Sequence, residues 1–148
     1  MKYWELVARE AIRDLVARYN SNGDSGRFDE LIELFSADAV MEVEDRLFQG
    51  PDEIRSIFER ARLRSQARPG RPLYLCHITG THQIDLVEES RGKGRCYFFV
   101  LTSAGLDHWG KYLDEYRTVN GEWKFSRRQA LTSGRTPGSL LTKGDLIS

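Results

Sequence analysis

"DHWGKYLDEYRTVNGEWKFSRRQAL", Asp107 to Leu131, is the stretch that decides the fold. Asn120-Gly121 is a strong hairpin signal, because the tight two-residue turn needs positive φ at both central positions. On each side of it runs a long strand-like segment, 107–119 and 122–131. Moving toward the N-terminus, "GRCYFFVLTS" (Gly94–Ser103) and "LYLCHITGTHQIDLV" (Leu73–Val87) are two more such segments, separated by the turns "EESRGKG" and "AGL". Four long strands in succession, joined by short turns, predict an antiparallel meander.

The chain upstream has a different rhythm. Leu6, Ile12, Leu15, Val16 and Tyr19 follow helical spacing and predict an amphipathic helix over Tyr3–Ser21. Phe28, Leu31, Ile32, Leu34 and Phe35 predict a second, shorter helix. "AVMEVE" (Ala39–Glu44) alternates as a half-buried strand does. Gly50 and Pro51 then open a third helix carrying Ile54, Ile57, Phe58 and Ala61 on one face. Helices first and strands after them predict an α+β architecture: a curved, mostly antiparallel sheet with helices on its concave side. Residues 1–132 read as one cone-like domain, and 133–148 as a Gly/Ser/Thr-rich tail over the surface or a partner subunit.

Composition excludes several classes of function. Lys+Arg and Asp+Glu both number 22, and a formal charge of zero argues against nucleic-acid binding. The Arg-rich run Arg60–Arg71 has acidic neighbours in Asp52, Glu53 and Glu59, and reads as a solvated helix face. No stretch is long and apolar enough to span a membrane, and "MKYWELVARE" lacks the apolar centre of an export signal. Cys76 and Cys96 make no zinc spacing with each other or with the three histidines, so free thiols in a cytoplasmic chain are expected. No phosphate-binding glycine loop follows a strand. No metal or cofactor is expected.

Few residues remain to carry chemistry. Asp24 sits in "RYNSNGDSGRF" (Arg18–Phe28), where residues 20–27 have no apolar side chain. Capping of the second helix is the bland reading of it, and catalysis the sharper one. His77 shares strand parity with Leu73, Leu75, Thr79 and Thr81: either a satisfied core histidine, or a base tuned by burial and a nearby carboxylate. His108, Tyr112, Asp114 and Tyr116 share one face of the next strand but one, which therefore meets water, a cavity or an interface. His82 has the opposite parity to His77 and is expected at the surface. Of Arg127 and Arg128, one points into the cone.

The segments "AIRDLVARYNSNGD", "FDELIELFSADAVMEVE", "FQGPDEI" and "GKYLDEYRTVNGEWKFSRR" together resemble the SnoaL-like branch of the nuclear transport factor 2-like superfamily, over about Glu10–Gln129. The resemblance implies a cystatin-like α+β cone: three N-terminal helices on a curved mixed sheet, its open end a hydrophobic pocket. Within that frame the sequence is similar to the dehydratase-like members, namely scytalone dehydratase, bile-acid 7α-dehydratase and hexachlorocyclohexane dehydrochlorinase. Their Asp after the first helix and His on the first long strand fall on Asp24 and His77. Their first-helix Tyr falls on Tyr19, and a last-strand Arg on Arg128, or on Arg127 if a bulge intervenes. An Asn frequent after the His motif is here Thr81.

Ketosteroid isomerase, from the same superfamily, would match Tyr19 and Asp114, but its general-base position is Val43, so that activity is disfavoured. The resemblance thus implies a cofactor-independent lyase, of the dehydratase or dehydrohalogenase type, acting on a small hydrophobic cyclic molecule. Asp24, His77, Tyr19 and Arg128 would be catalytic, and His108, Tyr112 and Asp114 would bind substrate. Isomerisation, polyketide-type cyclisation and a non-catalytic accessory subunit are the alternatives. A homodimer or homotrimer is expected.

Overall fold

The structure, a computed structural model, describes residues 1–67 and 74–140. Helix α1 spans Tyr3–Asp24, three residues beyond its expected end. The polar run "SNGD" stays helical because tertiary contacts outweigh its poor propensity. Asn22 is buried and accepts from Arg27 Nε at 3.1 Å, and Gly23 packs under the Phe58 ring. Gly26, at φ +73°, then ends the helix, with Arg27 N–H bonding back to the Asn22 carbonyl at 2.9 Å.

Helix α2 is a short turn, Phe28–Ile32, shorter than expected because Phe35 already belongs to strand β1 (Phe35–Val43). A tight turn at Glu44-Asp45 leads into β2 (Arg46–Gln49), a short strand with no separate signal in the sequence. Helix α3 spans Gly50–Gln66, with Pro51 in its first turn. Residues 68–71 of the Arg-rich run lie outside the described residues. Its described part includes Arg60 and Arg62, which lie over the Phe48 and Phe28 rings respectively.

Strands β3 (Leu75–Glu88), β4 (Arg91–Thr102), β5 (Gly105–Val119) and β6 (Glu122–Arg135) form the meander. They join one six-stranded sheet in the order β2-β1-β6-β5-β4-β3, antiparallel except for β1 beside β6. The architecture is α+β, with a mixed, mostly antiparallel curved sheet and N-terminal helices packed on it. The core lies between the two layers: Ile12, Leu15, Val16 and Tyr19 of α1 meet Met41, Phe98, Tyr112 and Phe125 of the sheet. No helix among the described residues is long and apolar enough to cross a membrane.

Two departures from strict alternation position the site. Between Gly80 and Gln83 the β3–β4 register shifts, with Thr81 in the left-handed region at φ 51°. Leu75 and His77 face the helices before this bulge; His82, Ile84 and Leu86 face them after it. His82, expected at the surface, is therefore half-buried, its Nε2 3.3 Å from the Tyr116 hydroxyl. The second shift, at Trp109/Gly110, lies on β5 against β6. A Cβ on Gly110 would collide with the Leu131 carbonyl and come within 2.9 Å of the Phe98 ring, so glycine is required at this approach.

Candidate active site

The open end of the cone is a cavity of about 470 Å³, within the range of small-molecule sites. Its wall combines residues from α1 (Tyr19, Asn20, Asp24), α3 (Ile57, Phe58) and the sheet (Met41, Val43, His77, Phe98, His108, Tyr112). Apolar side chains dominate, and the polar groups fall in a few places.

Asp24 and His77, 53 positions apart in the sequence, meet at this wall. One Asp24 oxygen accepts from the His77 backbone N–H at 2.8 Å and the other lies 2.7 Å from ring Nδ1. This two-point grip fixes the imidazole plane. It puts the proton of a neutral ring on Nδ1 and leaves the Nε2 lone pair unused. The side chains keep 24% and 19% of their accessible area, enough for a ligand to reach them. Asp24 does not cap α2: the cap position is Arg27, which makes no side-chain capping bond. The last turn of α1 aims the carboxylate across at β3 instead.

Tyr19 is buried, with its hydroxyl 3.8 Å from Met41 Sδ. Burial pushes its phenol up to about 12, against the opposing pull of Arg128, so it stays a donor at neutral pH. Next to it, Asn20 accepts from the Tyr112 hydroxyl at 3.3 Å through Oδ1, while its buried Nδ2 has no partner among the described residues. Asn20 was legible in principle: it lies four residues after Val16, on the buried stripe of the helix.

Arg128 and Asp114 do not line the cavity. The β5–β6 register sets them opposite one another, and they form a doubly hydrogen-bonded pair (2.8 and 2.8 Å) beneath its floor. Neither side chain is exposed at all. The guanidinium lies 4.0–4.3 Å from the ring centres of Tyr19, Tyr112 and Phe125, and the Tyr116 hydroxyl donates to Asp114 at 2.9 Å. Burial works against the Arg128 charge, but Asp114 outweighs it and raises the pKa further. Aromatic cover thus withdraws both expected site residues from any ligand. Arg127 points to the other face and pairs with Glu42 at 2.5 Å.

His108 and Tyr112 do line the cavity. Tyr112 stacks on Phe98 at 4.5 Å, and the His108 ring meets the His77 ring edge-on at 6.4 Å. His108 Nδ1 lies 2.7 Å from Asp107 Oδ2, a carboxylate the sequence did not single out. Val43, at the base position of the isomerase pattern, is an apolar part of the wall. Cys96 is a buried free thiol that burial pushes up to about 11; Cys76 is also free. Among the described residues no group of three or more His, Cys, Asp or Glu side chains is arranged to hold a metal ion.

A match to the SnoaL-like domain extends over residues 4–129, nearly all of the described fold. The chain belongs to the SnoaL-like family. Solved structures with a similar fold include a scytalone dehydratase candidate from Novosphingobium aromaticivorans (24% identity, 92% of this chain and 91% of that one, TM-score 0.77). A hexachlorocyclohexane dehydrochlorinase from Novosphingobium barchaimii is similar at 20% identity, over 90% and 92% of the two chains, with TM-score 0.76. The β subunit of a candidate aromatic-ring-hydroxylating dioxygenase from N. aromaticivorans is similar at 19% identity, over 92% and 95%, with TM-score 0.72. At these identities the likeness shows the fold alone. No curated protein sequence matches this chain.

Proposed function

We propose that the protein is a cofactor-independent lyase that eliminates water or a halide from a small, largely apolar ring compound. The observation that carries this reading is the anchored imidazole of His77, with an unused Nε2 on the wall of an apolar cavity. In the reaction, Nε2 takes a proton from a ring carbon beside a carbonyl, and the C–H electron pair passes into the carbonyl as an enolate. Return of that pair forms the C=C bond and expels the leaving group from the neighbouring carbon. A departing hydroxide takes the proton from Nε2 to become water; a halide leaves as the anion and the proton passes to solvent.

Asp24 holds the ring in register and stabilises the imidazolium between these steps. Tyr19 and the unused amide of Asn20 are donors suited to a developing oxyanion. An apolar wall suits such a step, since charge–dipole interactions strengthen where water is excluded. Isomerisation or cyclisation would begin with the same proton removal.

The test is a screen of hydroxylated and halogenated cyclic ketones, read by the absorbance of a conjugated product and repeated with His77→Ala and Asp24→Asn. Each variant is expected to lose about 10²–10⁴-fold in kcat while keeping its circular dichroism spectrum. Wild-type turnover in either variant removes the mechanism; no turnover of any of these ketones by the wild type favours the accessory-subunit reading.

A further inference from the structure

The cavity holds a second imidazole, and its surroundings are as specific as those of His77. Asp107 takes hydrogen bonds from His108 Nδ1 at 2.7 Å, from the Ser139 hydroxyl at 2.6 Å and from the Leu140 backbone N–H at 2.8 Å. Thr136 fastens the same segment to β5, its N–H donating to the Asp107 carbonyl at 2.9 Å. Leu140 itself reaches the cavity wall. Ser139 and Leu140, just after β6, therefore build part of the pocket.

A carboxylate loaded with three donors stays ionised. Burial pushes Asp107 up, but the bonds from Leu140, Ser139 and His108 outweigh it and hold the carboxyl below its ordinary value. Burial also holds His108 below the usual imidazole value, against the upward pull of Asp107. A neutral ring facing an ionised carboxylate has its proton on Nδ1. Nε2 then faces the cavity as an acceptor with nothing to donate. His77 presents a second acceptor 6.4 Å away, measured between ring centres.

An acceptor left unmatched by the ligand disfavours binding, so this wall discriminates between ligands. We infer that Asp107 and His108 form an acceptor-only pole that binds a hydroxyl of the ligand, which makes hydroxylated rings, rather than halogenated ones, the substrate class of this pocket. This rests on the proposed function only in taking the cavity as the substrate site. It deepens that reading by choosing between its two leaving groups. His108 is the binding residue, and Asp107 acts through it as a positioning residue.

Binding is measured without turnover, so that failure here and failure of the His77 mechanism are distinguishable. The probes are 2-naphthol and 2-chloronaphthalene, titrated by calorimetry into wild-type protein and into the His108→Phe, Asp107→Asn and His77→Phe variants. Imidazole nitrogen NMR follows the three histidines during the same titrations. Wild type is expected to prefer 2-naphthol about tenfold, the order of one hydrogen bond made to a buried group. The His108 Nε2 resonance should move on binding.

His108→Phe should bring the ratio to about one, and His77→Phe should preserve it. Asp107→Asn should move the proton from Nδ1 toward Nε2, visible in the nitrogen spectrum, and abolish the preference with the fold intact. A preference that survives His108→Phe overturns the inference. So does a resonance shift confined to His77. Absence of any preference for 2-naphthol, whether both probes bind equally or neither binds, overturns it too.

Discussion

Asn20 carries the sharpest single-residue expectation. Its Oδ1 serves Tyr112, while its buried Nδ2 beside the cavity has no partner among the described residues, an arrangement that costs stability unless a ligand completes it. Asn20→Asp keeps the acceptor for Tyr112 and replaces the donor with a charge that repels an oxyanion. Steady-state kinetics on any substrate found should show kcat reduced by about 10²–10³-fold with KM changed little. The histidines give a second residue-scale expectation. Burial holds both His82 and His108 below the ordinary imidazole value, so the folded chain binds fewer protons than the unfolded one just below that value. Stability therefore falls as pH drops through about 6.5 and levels off once the folded rings titrate. Urea midpoints at about pH 7.5 and 5.5 should differ in that sense. His108→Phe should flatten the difference; an unchanged slope would show that the ring is solvated.

Elements explain why some of these residues were readable and others not. The hairpin at Asn120-Gly121, the order of helices and strands, and the single face shared by His108, Tyr112, Asp114 and Tyr116 all follow from local spacing. Strand parity also put His77 on one face with Leu75, the face that meets the helices. It failed for His82 because the bulge at Thr81 adds a residue, and one residue reverses every side chain after it. The end of α1 was misplaced because Phe58 and Arg27, remote from the helix pattern, hold Gly23 and Asn22 helical. Asp107 was invisible as a site residue because its partners, Ser139 and Leu140, come from beyond the last strand. Arg128 and Asp114 were expected at the site, but strand pairing locks them to one another across β5 and β6. Arg128→Met leaves Asp114 as an uncompensated buried charge and should cost about 3–5 kcal/mol in urea unfolding. The double variant with Asp114→Leu should recover most of that loss; if it does not, the guanidinium's aromatic contacts matter more than its ion pair.

Across the whole molecule, the two faces of the sheet differ in what they lack. The inner face is covered by helices, whereas Ile78, Phe99 and Trp109 form a direct cross-strand row on the outer face, exposed along with Tyr97 and Leu106. With a formal net charge of zero, no long-range repulsion keeps two such faces apart. We expect a second copy to cover this row. Light scattering after size exclusion should give a multiple of the 17.0 kDa chain mass, and Phe99→Glu should return it to one copy. A wild-type monomer at micromolar concentration would remove that expectation. The parallel pairing of β1 with β6 has a different consequence, one of timing. The middle of the sheet is supplied by its last strand, so a nascent chain that has emerged only as far as β5 has no bed on which to seat its first one. On the ribosome β1 and β2 must wait unjoined to the meander, whereas α1 can already lie on β3 and bring Asp24 to His77; the wall that Ala130 and Thr132 give the hollow is what translation delivers last.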